Sequence, residues 1–133
     1  MKRAVLADIG PLYAAADKDD SYHRRAHSEL RRLSREGFNV WVAYPTLCEA
    51  YTLVLHRLGK PAAANWLDDM LGGVSLINAA IEDYQEAKNK IAVFADQPIS
   101  FFDAIVAVLS DRLAIAVWTY DHHFHLMRCN IWH

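Results

Sequence analysis

The stretch that most constrains this chain is the apolar run from Ile99 to Leu109, which contains one charged residue, Asp103. The run predicts a helix that is apolar on nearly every side, and such a helix belongs in a protein interior. Asp103 falls in its first turn. Because an ionised carboxylate in an apolar site is costly unless it is paired or binds a cation, the fold must bring a partner to Asp103. We expect that partner to be a divalent cation shared with other acidic residues.

Length and composition favour one compact domain. The chain has 133 residues, of which 53% are hydrophobic, and this suits a single domain over residues 1–133. No apolar run approaches the roughly 20 residues of a membrane-spanning helix, and no signal-peptide pattern follows Met1. The two cysteines, Cys48 and Cys129, are too few for a disulfide framework and fit a reducing cytoplasm. We therefore expect a cytoplasmic protein without a membrane partner.

Segments typical of strands alternate with segments typical of helices. β-Branched and aromatic residues predict strands over 5–8, 39–44, 74–77 and 115–119. Apolar spacing predicts helices over 12–16, 21–36, 46–57, 61–71, 81–94 and from Ser100 onwards. Gly10-Pro11 and Gly72-Gly73 are predicted breaks, and residues 130–133 are predicted to add an edge strand. This order predicts an α/β fold, a three-layer sandwich around a mainly parallel sheet of four to five strands.

Four acidic residues are predicted to meet at the carboxyl edge of that sheet, where ligands of such folds bind. Asp8 ends the first strand, and Asp121 follows the fourth. Glu49 falls in the first turn of the helix predicted to begin at Thr46, just after the second strand. Asp103 begins a helix that runs into the fourth strand, and a helix that leads back into a parallel strand starts at the carboxyl edge.

The residue types indicate metal chemistry. Clustered carboxylates repel one another and raise one another's pKa values unless a cation lies between them. Hard oxygen ligands select Mg²⁺ or Mn²⁺, and such ions activate water for attack on a phosphodiester. The predicted helix N-termini at Thr46 and Ser100 also favour a nearby phosphate. The pattern therefore favours phosphodiester hydrolysis.

Other interpretations of the same residues stay open. Thr46 with Glu49, and Ser100 with Asp103, match the capping box of a helix N-terminus, and Glu49 falls opposite an apolar stripe, which is compatible with a solvated position. A phosphatase of the haloacid-dehalogenase type is disfavoured, because the second Asp that it needs is replaced by Gly10. A dinucleotide-binding fold is disfavoured because no Gly-x-Gly-x-x-Gly follows the first strand.

Four short motifs carry a resemblance to a known family. They are, in order, Leu6-Ala7-Asp8-Ile9-Gly10-Pro11-Leu12, Thr46-Leu47-Cys48-Glu49, Ile99-Ser100-Phe101-Phe102-Asp103-Ala104 and Thr119-Tyr120-Asp121-His122-His123-Phe124. With them the chain resembles PIN-domain proteins of the VapC-like toxin type over essentially its whole length. The resemblance implies a metal-dependent ribonuclease that uses Mg²⁺ or Mn²⁺, forms a homodimer and is held by a small antitoxin protein.

The resemblance also implies roles for individual residues. In such proteins, the acids that match Asp8, Glu49, Asp103 and Asp121 hold the metal and the attacking water, and we assign direct metal contact to Asp8, Asp103 and Asp121. Ile9 departs from the family pattern, which usually has Thr or Ser there. This departure removes one hydrogen bond but no metal ligand.

Three further residues are predicted to support the acids or the substrate. Ser100 is expected to cap its helix and support Asp103, Thr119 to place a hydroxyl near Asp121, and His123 to lie near a substrate phosphate. One predicted helix is locally basic, because it carries Arg24, Arg25, Arg31, Arg32 and Arg35. These arginines form either a solvated helix face or a contact with RNA or the antitoxin. The net charge of −2 means that RNA binding needs such a local patch. The alternative function is a catalytically silent module that keeps the fold for protein contacts.

Overall fold

Strands and helices alternate along the chain in the computed structural model, which describes residues 3–133. The strands are β1 (Arg3–Ala7), β2 (Phe38–Ala43), β3 (Ser75–Ile77) and β4 (Ala116–Trp118). The helices are α1 (Ile9–Ala16), α2 (His23–Arg35), α3 (Tyr44–Leu58), α4 (Lys60–Gly73), α5 (Ile81–Val93), α6 (Phe101–Leu113) and α7 (His123–Leu126). Within the described part of the chain, no helix has both the length and the apolar character needed to cross a membrane.

The four strands form one parallel sheet in the order β3-β2-β1-β4. Leu6 of the central strand β1 is in register with Trp41 of β2 and Val117 of β4. The chain passes from β1 to β2 and β3 on one side and reaches β4 on the other, so the connections reverse direction between β1 and β4. Open α/β sheets bind ligands at such a reversal. The predicted fold class, a three-layer sandwich around a parallel sheet, is confirmed.

Helices cover both faces of the sheet. Val5, Leu6 and Ala7 of β1 are completely buried. Leu6 belongs to a core formed with α5 and α6, whereas Val5 and Ala7 belong to a second core formed with α1 to α4. Side chains of a strand alternate between the two faces, and a strand covered on both faces is a continuous apolar run. This is why β1 was predictable from the sequence.

Residues 130–133 contribute one bridge instead of a fifth strand. The backbone N–H of Val117 donates to the carbonyl oxygen of Asn130 at 2.8 Å, and that of Trp132 donates to the carbonyl oxygen of Val117 at 2.9 Å. Ile131 is bridged to Val117 in the parallel direction. The predicted edge strand is thus reduced to the part that pairs with the outer side of β4.

α6 is the apolar helix that the sequence predicts around Asp103. Its residues Ala104–Ser110 are all buried, as predicted, but Phe101 and Phe102 in the first turn are 48% and 39% exposed. Ser100 caps the helix, because its Oγ accepts a hydrogen bond from the backbone N–H of Asp103 at 3.1 Å. Asp103 therefore lies where the exposed first turn meets the buried part of the helix.

α3 begins earlier than predicted. It starts at Tyr44 rather than Thr46, because Pro45 fits the first helical turn, where a backbone N–H has no acceptor within the helix. Glu49 therefore lies in the second turn and not in the first. The predicted Thr46–Glu49 capping box is wrong for the same reason.

Two pairs of residues that were expected to interrupt the chain lie inside helices. Gly10 and Pro11 belong to the first turn of α1, which follows β1 almost directly. Gly72 and Gly73 are the last two residues of α4. Helix ends accept proline in the first turn and glycine at the close, so these pairs shape the helix ends instead of separating elements.

An ion pair between α5 and α6 is expected to matter for stability. The Asp83 side chain is 3% exposed and accepts two hydrogen bonds from Arg112, Nε to Oδ1 and Nη2 to Oδ2, both at 2.8 Å. Its Oδ2 also accepts the backbone N–H of Ala80 at 2.8 Å. Asp83→Ala leaves the half-exposed Arg112 guanidinium and the backbone N–H of Ala80 without this acceptor, so it should lower the free energy of unfolding by about 2–3 kcal/mol at pH 7.

Urea denaturation measures this effect, and Asp111→Ala is the matched control. Asp111 lies 3.2 Å from Lys90 with 52% of its side chain exposed, and exposed pairs contribute at most about 1 kcal/mol. The hydrogen bonds from Arg112 lower the pKa of Asp83, so its contribution is present above the unfolded-state pKa of about 4 and is lost as the pH falls below it. Equal losses in the two variants at pH 7 would contradict the prediction.

Candidate metal-binding site

The four acids that the sequence singles out lie at the carboxyl edge of the sheet. Asp8 directly follows β1, and Asp121 follows β4, across the point where the connections reverse. Glu49 lies in the second turn of α3, which continues directly from β2, and Asp103 lies in the first turn of α6. Because each acid comes from a different element, only the tertiary fold brings them together.

Thr119 connects two of these acids. Its Oγ1 donates a hydrogen bond to Oδ2 of Asp8 at 2.9 Å and accepts one from the backbone N–H of Asp121 at 3.0 Å. Both Asp8 and Thr119 are buried, at 3% and 8% exposure. The backbone N–H of Asp8 also donates to the carbonyl oxygen of Trp118 at 2.9 Å. The sequence predicts a Thr119 hydroxyl near Asp121, and the structure adds that this hydroxyl holds the carboxylate of Asp8.

The carboxylates are close enough to shift one another's ionisation. Burial, followed by the charge of Asp103, raises the pKa of Asp8 to about 7. Burial, followed by the charges of Asp8 and Asp103, raises the pKa of Glu49 to about 7. Burial and then the charge of Asp121 raise the pKa of Asp103. The charges of Asp8, Asp103 and Asp121 therefore each raise the pKa of at least one other acid, as in a converging cluster of carboxylates.

Two histidines follow Asp121. The backbone N–H of His123 donates to Oδ1 of Asp121 at 2.9 Å, and the Nδ1 atom of His123 lies 2.9 Å from the same oxygen. The His123 side chain is 13% exposed, whereas that of His122 is 75% exposed, with its Nδ1 3.8 Å from Asp121. Asp121, His122 and His123 offer ligand atoms within 4.8 Å of one another. His123 is thus held against the acids, and its predicted contact with a substrate phosphate stays a prediction.

The donor set suits a hard divalent cation. Asp8, Glu49, Asp103 and Asp121 offer carboxylate oxygens, the ligands that Mg²⁺ and Mn²⁺ prefer. Burial and mutual repulsion disfavour the ionised forms of Asp8 and Glu49, and a bound cation would favour those same forms. The residues therefore fit such an ion. Direct contact of Asp8, Asp103 and Asp121 with it stays a prediction.

Glu29 is a residue whose place near the site the sequence did not reveal. Its Oε1 accepts hydrogen bonds from Nε1 of Trp118 at 3.1 Å and from the hydroxyl of Tyr120 at 2.6 Å. Glu29 thereby fixes the segment between β4 and Asp121. One signal was available: Glu29 is three residues after Ala26 and four before Leu33, the two buried residues of α2, which places it on the inward face of the helix.

Solved structures of toxin–antitoxin proteins share this fold. VapC20 from Mycobacterium tuberculosis, a sarcin–ricin loop cleaving toxin, has a TM-score of 0.82 and 20% sequence identity, over 94% of this chain and 95% of that one. VapBC2 from Rickettsia felis, bound to a promoter DNA fragment, has a TM-score of 0.75 and 15% identity, over 96% of each chain. FitAcB from Neisseria gonorrhoeae has a TM-score of 0.69 and 14% identity, over 97% of this chain and 96% of that one.

At these identities the likeness establishes the fold. The PIN-like architecture that the sequence resemblance implies is thereby confirmed. No protein-family model matches the chain, and no curated protein matches it.

Proposed function

We propose that the protein is a divalent-metal-dependent endoribonuclease, the toxin of a type II toxin–antitoxin pair. The observation that carries the proposal is the convergence of Asp8, Glu49, Asp103 and Asp121 at the point where the sheet connections reverse. Burial and the charges of neighbouring acids raise the pKa values of Asp8, Glu49 and Asp103. Buried carboxylates that repel one another in this way are typical of a site for a cation. A binding module has no need for carboxylates held in such an unfavourable setting.

The residues divide the chemical work between them. Bound Mg²⁺ or Mn²⁺ supplies charge that activates water and stabilises the developing negative charge on the phosphodiester. Asp8, Asp103 and Asp121 would hold the ion, Thr119 orients the Asp8 carboxylate, and Ser100 fixes the backbone at Asp103. The Glu49 carboxylate, beside Asp8 and Asp103, would be kept ionised by the bound cation and would then accept the proton of the attacking water.

The comparisons support this proposal at the level of fold and partner. VapC20 is a toxin that cleaves the sarcin–ricin loop, and the neighbouring folds belong to toxin–antitoxin systems, which indicates an antitoxin as partner. We propose the same arrangement here, in the cytoplasm, with the antitoxin bound in a cavity of about 670 Å³ between α1, α2, α4 and β2. Its lining includes Leu30, Leu33, Trp66 and Met70, well suited to the apolar face of a peptide helix.

A homodimer also belongs to the proposal. An apolar groove of about 410 Å³ runs between α5 and the start of α6, lined by Ile81, Tyr84, Ile91 and Phe101. Ile81 and Phe101 are 72% and 48% exposed. We propose that a second copy of the chain covers this groove, because its lining residue Phe101 lies in the same helical turn as Asp103 and pairing here would place two sites on one assembly.

Cleavage of end-labelled RNA by the purified protein tests the ribonuclease proposal. Products should form with Mg²⁺ or Mn²⁺ and disappear with a chelator, and should return when metal is added in excess. Cleavage that continues in the chelator would contradict metal dependence. If the protein neither cleaves RNA nor binds Mn²⁺ in calorimetry, the result favours the alternative, a catalytically silent module with the same fold.

A further inference from the structure

We propose that Tyr22 is a stacking platform for an unpaired base of the RNA, next to the acids. The proposal deepens the ribonuclease function and rests on it. Tyr22 lies just before α2, and 45% of it is exposed. An exposed aromatic ring beside a nuclease site is a place where a base of any identity can stack, because every base has a π-face.

The ring lies in the same groove as the acids. Two of the acids, Asp8 and Asp121, line a groove of about 440 Å³ together with Tyr22, Tyr120 and Arg57. A phosphodiester that is to be cleaved must reach the acids. The base of an adjacent nucleotide then extends along the groove towards the two tyrosines.

The two tyrosine rings are already stacked. The ring centroids of Tyr22 and Tyr120 are 4.8 Å apart, with an angle of 28° between the planes. The hydroxyl of Tyr120 donates to Glu29 at 2.6 Å, and its ring packs on the backbone of α1, where a Cβ added to Gly10 would lie 3.6 Å from Cδ2 of Tyr120. The backbone N–H of Tyr22 donates to Oδ1 of Asp20 at 2.8 Å. The platform is thus ordered before any base arrives, which lowers the entropy lost on binding.

Positive charge accompanies the rings. The guanidinium carbon of Arg25 lies 4.5 Å from the ring centroid of Tyr120 and 5.9 Å from that of Tyr22. Arg25 also contacts Glu29 at 3.4 Å, and 56% of its side chain is exposed. Aromatic rings together with arginine are the combination with which proteins bind single-stranded nucleic acid. The acids alone would repel RNA, so such a feature is needed beside them.

Binding of a short single-stranded RNA containing 2-aminopurine tests the proposal. It is measured in the Asp103→Asn background, where cleavage is expected to be suppressed, by fluorescence anisotropy and by the fluorescence of 2-aminopurine, which falls when that base stacks. Adding Tyr22→Leu should weaken binding about tenfold or more and abolish the fall in fluorescence. Tyr22→Phe keeps the ring and should retain both signals. Arg25→Ala should weaken binding, whereas its control Arg31→Ala, an exposed arginine on the same helix, should have a smaller effect.

The outcomes separate this proposal from the ribonuclease function. If the unaltered protein neither cleaves nor binds RNA, both are overturned. If it cleaves RNA and Tyr22→Leu leaves binding and fluorescence unchanged, only the stacking platform is overturned. If Tyr22→Leu retains RNA binding but loses binding of a co-expressed small antitoxin, the two rings form a protein contact and the platform is overturned as well.

Discussion

Replacing Asp103 by asparagine should reduce metal-dependent RNA cleavage at least about a thousandfold while the protein stays folded. Asp103 lies at the N-terminal end of α6 beside the other three acids, and its charge raises the pKa values of Asp8 and Glu49. Asparagine keeps the shape of the side chain and removes one negative charge from the set that would hold the ion. A bound metal contributes several kcal/mol to such a reaction, and about 4 kcal/mol corresponds to a factor of a thousand.

The matched control is Asp111→Asn, at the other end of the same helix. Asp111 is half exposed and pairs with Lys90 at 3.2 Å, away from the four acids, so its variant should cleave RNA like the unaltered protein. Initial rates on an end-labelled RNA and calorimetric titration with Mn²⁺ measure both variants. Full activity of Asp103→Asn would remove Asp103 from the site. Equal losses in both variants would indicate a general effect on the helix.

Replacing Asp8 by asparagine should stabilise the metal-free protein at pH 8. Burial and the charge of Asp103 raise the pKa of Asp8 from 3.8 to about 7. Between these values the folded state binds more protons than the unfolded state, so stability falls as the pH rises through the window, and the full penalty applies above pH 7. A shift of about three pKa units corresponds to a penalty of up to about 4 kcal/mol. The gain from Asp8→Asn is smaller than this penalty, because the hydrogen bond from Thr119 is weaker to an amide than to a carboxylate. Asparagine carries no charge and escapes this penalty.

Urea denaturation at pH 4 and pH 8, with a chelator or with Mn²⁺, measures the effect. The gain from Asp8→Asn should be largest at pH 8 with chelator and small at pH 4. Mn²⁺ should stabilise the unaltered protein more than the variant, since a ligand that binds only the folded state stabilises it by mass action. Asp19→Asn, in an exposed turn, should show neither effect. Destabilisation by Asp8→Asn at pH 8 in chelator would mean that its charge is balanced by a group within the protein.

Local sequence patterns determined the architecture of this protein. β1 is a continuous apolar run because it is buried on both faces, and α6 is predictable because its residues 104–109 are all apolar. Ser100 caps α6 as its spacing to Asp103 indicates. Spacing along a strand or helix fixes which residues share a face, and the parallel order of the strands then assigns Asp8 and Asp121 to one edge. These conclusions need only neighbours in the chain and the rules of sheet connection.

Tertiary packing decided what the local pattern left open. The start of α3 is the exception, because it is local in origin: Pro45 is acceptable in a first turn, so α3 starts at Tyr44 and Glu49 lies in the second turn. The stacked pair of Tyr22 and Tyr120 joins residues that are far apart in sequence.

The same holds for Glu29. Its hydrogen bonds to Trp118 and Tyr120 depend on how α2 lies against β4, which no spacing within α2 records. The raised pKa values of Asp8 and Glu49 also arise only in the folded chain, because they require burial and carboxylates from separate elements. The sequence by itself thus determined which residues reach the edge of the sheet, whereas the distances and charges that define their chemistry came from the packing of distant segments.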